Sequence, residues 1–144
     1  MRADRLLVDT GPLVAILSPR DSNHQRCLAE LDRLEPPLLT CWPVLTEAAW
    51  LLRQRPESVL KLLAMPGELL RLVSLDESDT PAIASIMKKY GDLRLQLADA
   101  TLLHLADREK IETLFTLDIR DFRVLRTQSR RRLRLVPQSG HAVR

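Results

Sequence analysis

Residues 6–17 read LLVDTGPLVAIL, an apolar run broken by a single carboxylate, Asp9, and a Thr-Gly-Pro step. The stretch RLLVD at 5–9 is short, apolar and β-friendly, so it reads as a buried strand ending on Asp9. Thr-Gly-Pro then reads as a sharp turn that leaves this carboxylate at the open edge of a sheet. Two explanations are open for Asp9. It caps a following helix by accepting backbone N–H groups, or it is there for chemistry.

Four more segments have the character of 5–9: LLTC at 38–41, LVSL at 72–75, TLFTL at 113–117 and LRLV at 133–136. Helical patterns lie between them. Residues 22–34 follow a Ser22 cap candidate and carry Cys27, Leu28, Leu31 and Leu34 at helical spacing. Pro43 and Pro56 each suit the first position of a helix, running to about 53 and about 65. Helices over 79–90 and roughly 96–109 complete the set. Strands alternating with helices predict an α/β layered fold with a mainly parallel sheet. The two successive helical segments after residue 43 suggest an arm against which partner helices pack.

In such a sheet, ligands bind at the carboxyl ends of the strands, near the point where the strand order reverses. Asp118 directly follows TLFTL and repeats the arrangement at Asp9: apolar strand, carboxylate, turn into a helix. Glu47 in PVLTEAAWLL has Val44 and Leu51 as i−3 and i+4 neighbours, which puts a carboxylate on a stripe expected to face the core. The alternative is a helix rotated so that Glu47 points outward and Trp50 inward. Asp99 in LQLADATLLHLA is flanked by Leu95, Leu102 and Leu103 on its own face, or else serves as a first-turn acid complementing the helix dipole. Four carboxylates converging on one pocket repel unless a cation compensates. An all-oxygen set suits a hard divalent ion, Mg²⁺ or Mn²⁺, and such an ion suits phosphodiester hydrolysis.

Composition narrows the field. The chain has 144 residues, 45% hydrophobic and 28% charged, which is one ordinary soluble domain. No stretch reaches the roughly 20 apolar residues of a membrane span, and Asp4 and Arg5 interrupt any signal-peptide pattern. Cys27 and Cys41 have no metal-type spacing and read as reduced and buried, which predicts a cytoplasmic protein. Residues 120–144 hold eight arginines (120, 123, 126, 130, 131, 132, 134 and 144) against Asp121, a charge of +7, while the other 119 residues hold 14 basic and 18 acidic side chains, a charge of −4. A basic end on an acidic body fits a polyanionic partner, or a solvated charged tail. Four glycines and no glycine-rich phosphate loop argue against a nucleotide cradle. His24, His104 and His141 are too scattered for a triad or metal motif, and His104 reads as a packed residue. Trp42 and Trp50 read as core anchors, and with aromatics at 3% base-stacking platforms gain no support.

Four blocks together, DTGPLVAIL at 9–17, LTEAAWLL at 45–52, YGDLRLQLADATLLHLA at 90–106 and FTLDIRDF at 115–122, resemble the PIN domain, and within it the VapC-type ribonuclease toxins. The resemblance runs from Leu6 to about Val136. It implies a three-layer α/β/α sandwich with a central mainly parallel sheet of about five strands in the order 3-2-1-4-5, a domain spanning 1–137 and a short tail at 138–144. It implies an acidic pocket of Asp9, Glu47, Asp99 and Asp118, with Asp121 as an additional acid and Thr10 supporting by its hydroxyl. The pocket would hold Mg²⁺ or Mn²⁺ for hydrolysis of single-stranded RNA by a metal-activated water. Asp92 is read as a loop residue or cap. The resemblance further implies a homodimer and a small antitoxin protein whose C-terminal segment covers the pocket. The competing readings are a non-catalytic PIN-like module that docks RNA or protein, and a phosphoacceptor receiver domain. The second is disfavoured because the last strand ends in Val136-Pro137 rather than a lysine.

Overall fold

A computed structural model of the protein describes residues 5–138. Five short strands, β1 (Leu6–Val8), β2 (Leu38–Thr40), β3 (Leu70–Leu72), β4 (Thr113–Phe115) and β5 (Arg134–Val136), form one sheet in the order β3-β2-β1-β4-β5. Every pairing is parallel. The order is the one that the family resemblance implies. From β1 the chain builds outward through β2 to β3, then returns to the other side of β1 for β4 and β5. The reversal lies between β1 and β4, which is where an open α/β sheet forms its crevice. All three residues of β1 and of β2 are buried. Since successive side chains point to opposite faces, both faces of the sheet are covered there. The edge strands β3 and β5 each keep an exposed residue, Arg71 and Arg134.

Seven α-helices connect the strands: α1 (Thr10–Leu17), α2 (His24–Asp32), α3 (Trp42–Leu51), α4 (Pro56–Ala64), α5 (Thr80–Lys89), α6 (Leu97–Arg108) and α7 (Ile119–Val124). Helix α6 is the central one. Every residue from Ala100 to Ala106 is buried, so no face of this segment meets water and its seat in the core is fixed. Cys27 and Cys41 are buried free thiols, as expected, and burial pushes both up to about 11, where the thiol is inert.

Several expectations are corrected. Thr-Gly-Pro at 10–12 is not a turn but the first turn of α1, where Pro12 costs little because the N–H it lacks has no helical partner. Helix α2 starts at His24 behind Asn23, not at a Ser22 cap, because the Asp21 carboxylate takes the Asn23 N–H at 2.8 Å. Strand β3 lies two residues earlier than 72–75, where fully buried Leu70 anchors it, and the ladder ends with the Val73 N–H donating to Thr40 O at 2.8 Å. Trp42 and Trp50 are not core anchors: they are 58% and 63% exposed. The buried side of α3 is Val44, Leu45 and Ala48, and Leu51, expected inside with Glu47, is 53% exposed. The Arg53 guanidinium stacks 3.7 Å above the Trp50 ring, an arrangement compatible with a surface indole. Of the expected tail at 138–144, only Gln138 is among the described residues.

A buried polar knot ties α5 to α6. Asp79 Oδ1 accepts from His104 Nε2 at 2.8 Å and from Arg108 Nη1 at 2.9 Å, while Oδ2 takes the Asp76 N–H at 2.9 Å. Arg108 Nη2 also donates to Ser74 O at 2.8 Å, so one side chain clamps the chain on both sides of the Asp76–Asp79 turn. The hydrogen bond from His104, followed by the Asp76 N–H, holds the Asp79 carboxyl well below the usual carboxylate range. An acid depressed in this way stabilises the fold above its unfolded pKa near 3.9, and that contribution is lost as pH falls toward the folded value. Asp79→Asn is expected to lower unfolding free energy by about 1–3 kcal/mol at neutral pH. Urea unfolding at about pH 7 and about pH 3 measures this, and the difference between variant and wild type shrinks at the lower pH.

Candidate metal centre

The chemistry of the site begins with the chain leaving β1. Asp9 is the N-cap of α1, and its Oδ1 accepts the Thr10 N–H at 2.7 Å. The capping explanation therefore holds, yet it uses only one of the two carboxylate oxygens. The other, Oδ2, accepts from the Thr116 hydroxyl at 2.8 Å. Thr116 Oγ1 in turn accepts the Asp118 N–H at 2.9 Å, so one buried hydroxyl couples the ends of β1 and β4. The chain after β4 passes close to α1 here: a Cβ at Gly11 would stand 3.4 Å from both Cβ and Cδ1 of Leu117. Thr40 at the end of β2 donates to Val8 O at 3.0 Å and ties the next strand to the same edge.

Asp99 reaches this edge from the first turn of α6. Its Oδ2 accepts the Gln96 N–H at 3.1 Å, so it too completes a helix N-terminus while its remaining oxygen is free. One carboxylate oxygen from each of Asp9, Asp99 and Asp118 lies within 4.8 Å of the others. Asp9 is 5% exposed, Asp99 is half-buried and Asp118 is exposed at the rim, so the cluster is a cup with a buried floor. Glu47 and Asp121 stand outside that set of three. Glu47, half-buried, accepts from the Thr10 hydroxyl at 3.1 Å. Asp121 is exposed on α7, and its charge acts on both Asp99 and Asp118. Asp92, in a short 3-10 turn at Gly91–Leu93, is exposed and not in the cluster.

No ion pair among the described residues involves Asp9, Glu47, Asp99 or Asp118. The consequence is that the three aspartates are raised above the ordinary carboxylate range. Burial drives Asp9 up to about 7, with Asp99 and Asp118 adding to the rise against the opposing hydrogen bonds from Thr10 and Thr116. Asp99 rises to about 6, again chiefly through burial, then through Asp118, Glu47 and Asp121. Asp118 is raised by burial and by Asp121. Three converging carboxylates without a counter-charge, each offering only oxygen, fit a hard divalent cation.

The model of the PIN domain family matches residues 6–127. The chain belongs to the PIN domain family. Over 135 residues, 92% of this chain and the full length of the relative, it is 27% identical to Ribonuclease VapC26 of Mycobacterium tuberculosis. Its fold is similar to that of Mycobacterium tuberculosis VapC20, a sarcin-ricin loop cleaving toxin, with a TM-score of 0.74 at 17% identity over 79% of this chain and 90% of that one. It is similar also to a chain of a toxin-antitoxin complex from Klebsiella pneumoniae, with a TM-score of 0.65 at 18% identity over 85% of this chain and 92% of that one.

Sequence reasoning missed two residues of this PIN domain site, Thr116 and Thr40. A threonine inside an apolar strand signals only β-propensity, and its hydroxyl gains meaning once the neighbouring strand is known. The raised carboxyls set a pH dependence of definite sign. The folded protein keeps protons on Asp9 and Asp99 that the unfolded chain has released, so metal-free stability falls as pH rises from about 4 to about 7. The melting temperature of the metal-free protein should decline between about pH 5 and about pH 8, and Mn²⁺ should raise it more at the higher pH. Thermal melts with and without EDTA test this. A pH-independent increment from Mn²⁺ would contradict it.

Proposed function

We propose that this PIN domain is a divalent-metal-dependent endoribonuclease and the toxin of a toxin–antitoxin pair. The observation that carries the reading is the uncompensated cluster of Asp9, Asp99 and Asp118 at the switch point of the sheet. Similarity to Ribonuclease VapC26 over the full length of that protein supports RNA as the substrate. Asp9, Asp99 and Asp118 would hold Mg²⁺ or Mn²⁺, and a bound ion supplies Lewis-acid stabilisation of the phosphate and a lowered pKa for an attacking water.

The residues of the chain do the rest. Thr116 keeps the Asp9 and Asp118 ends at a fixed separation through its two hydrogen bonds. The Gln96 N–H orients the Asp99 carboxylate and leaves one oxygen toward the cup. Glu47, steadied by Thr10 Oγ1 and adjacent to the cluster without being part of it, orients the attacking water and takes its proton. Asp121 on the rim adds negative field and favours cation capture. The exposed position of Asp118 leaves the mouth open to a phosphodiester.

Protein partners belong to the same reading. Trp42, Trp50 and Leu51 of α3 and Leu60 and Leu63 of α4 are all at least 49% exposed. An antitoxin segment covering these helices is the occupant that fits a toxin, in line with the neighbours whose names describe toxin–antitoxin complexes. A cytoplasmic location and a homodimer belong to the same proposal, as the resemblance to the VapC-type toxins implies.

Cleavage of cellular RNA in the presence of Mn²⁺ tests the proposal. Asp9→Asn and Asp99→Asn should reduce cleavage to background with the fold retained by circular dichroism. Thr116→Val, which removes only a supporting hydroxyl, should cost about 10–100-fold in activity or metal affinity. If the wild type cuts no RNA and binds no divalent ion, the ribonuclease assignment fails.

A further inference from the structure

A second concave surface lies away from the carboxylates, in a groove of about 670 Å³ between α2 and the edge strand β5. Its floor is set by sheet register. Leu6 aligns with Thr113 and Thr113 with Arg134, so these side chains form one row across β1, β4 and β5 on the same face. Its wall is set by helix periodicity. Arg26, Ala29, Glu30 and Arg33 follow i, i+3, i+4, i+7 spacing and present one stripe of α2 to the groove. Arg5 at the entrance to β1 completes a set of four arginines, opposed by Glu30 and Glu35.

The charges are not equivalent. Arg5 pairs with Glu109 at 3.8 Å and Arg33 with Glu30 at 3.9 Å. Arg26 and Arg134 take part in no ion pair among the described residues. Two arginines without an ion-pair partner therefore line one groove, one from its helical wall and one from its strand floor. Phosphates and carboxylates are the ligands such planar forks recognise. Glu30 adds a second requirement. It is 8% exposed, and its side chain makes no hydrogen bond with any described residue beyond the long pair to Arg33. Its carboxylate oxygens are reached by solvent, and a hydroxyl or amino donor on a ligand can take the place of that water. Single-stranded RNA brings both features: phosphates for the arginines, and 2′-hydroxyl and base amino groups for the carboxylate. An acidic peptide brings anions for the arginines, but its ionised side chains offer Glu30 no donor.

Continuity with the carboxylates also favours RNA. All strands are parallel, so the groove runs along β5 from Arg134 to Val136 and Gln138, toward the sheet edge that carries Asp9 and Asp118. There the Thr116 N–H donates to Val136 O at 2.9 Å, which makes the end of the groove a direct neighbour of the residue that couples Asp9 to Asp118. We propose that the α2–β5 groove is a binding track for single-stranded RNA, gripping the backbone through Arg26 and Arg134 outside the carboxylate cup. The inference rests on the ribonuclease reading in taking RNA as the polymer. It adds where the strand lies beyond the bond to be cut.

The test is fluorescence anisotropy of the full chain with a fluorescein-labelled single-stranded RNA in EDTA, across a KCl series. No metal-dependent step runs in EDTA, so failure of the groove and failure of the nuclease assignment register in separate experiments. Two phosphate contacts on a single strand contribute about 1.4 to the slope of log affinity against log salt. Arg26→Ala/Arg134→Ala should lower the slope by roughly that amount, and Arg26→Lys/Arg134→Lys should restore most of it. The charge-matched control Arg53→Ala/Arg71→Ala, on α3's exit and the opposite edge strand, should keep the wild-type slope. Melting temperatures verify that each variant is folded. A groove variant that binds like wild type, a control that loses as much slope, or a wild type without RNA affinity overturns the proposal. Displacement of the RNA by a polyglutamate peptide at equal charge concentration would overturn it in favour of an acidic protein segment.

Discussion

Mutual repulsion among Asp9, Asp99 and Asp118, one oxygen of each within 4.8 Å of the others, is the constraint around which the molecule is arranged. Carboxylates this close are unfavourable as anions, and burial first, then the neighbouring acids, raise Asp9 to about 7 and Asp99 to about 6. The scaffold therefore works against its own site in the absence of a cation. A fold tolerates such a strain when surrounding structure leaves the groups nowhere else to go. Two of the three carboxylates are locked by helix capping: Asp9 to Thr10 N and Asp99 to Gln96 N. Capping and metal binding are thus not rival explanations. The cap orients the carboxylate, and the uncapped oxygen is left for chemistry.

The sheet makes the convergence possible. Asp9 and Asp118 leave adjacent parallel strands at the same edge, on either side of the point where strand order reverses, so no crossing helix blocks the space between them. Thr116 sets their spacing, and α1 passes close to the chain after β4 at Gly11, where an added Cβ would touch Leu117. Asp99 arrives from α6, whose next seven residues are buried without exception and cannot rotate. At the far end of that helix, His104 and Arg108 grip Asp79 and fix α6 along its axis as well. A site 1 Å too loose binds metal poorly. Here both ends of the delivering helix are pinned.

Much of this was legible in the sequence, and the failures have physical causes. The strands 5–9, 38–41 and 113–117 stood out because central parallel strands are apolar on both faces. Asp99 is half-buried at the head of α6 beside Leu102 and Leu103, and it also fills the first-turn role that the sequence left open. Glu47 was harder. The segment PVLTEAAWLL is apolar nearly all round, so periodicity does not determine its rotation, and the buried side proved to be Val44, Leu45 and Ala48. The same ambiguity hid the exposure of Trp42 and Trp50, which residue type alone assigns to the core. Helix α1 was masked by Gly11 and Pro12, whose breaker reputation does not apply in a first turn. The polar contacts of Thr116, and the meeting of Arg26 with Arg134 across one groove, join segments more than 100 residues apart. No local pattern carries information of that kind.

The central claim is that the three carboxylates form a cation site and not merely a set of helix caps. Anomalous diffraction from crystals grown with Mn²⁺ tests it most directly. The account predicts an anomalous peak enclosed by the side chains of Asp9, Asp99 and Asp118, with the Thr116 hydroxyl still donating to Asp9. Saturating Mn²⁺ with no peak at that position, or with a peak only elsewhere on the surface, would contradict it.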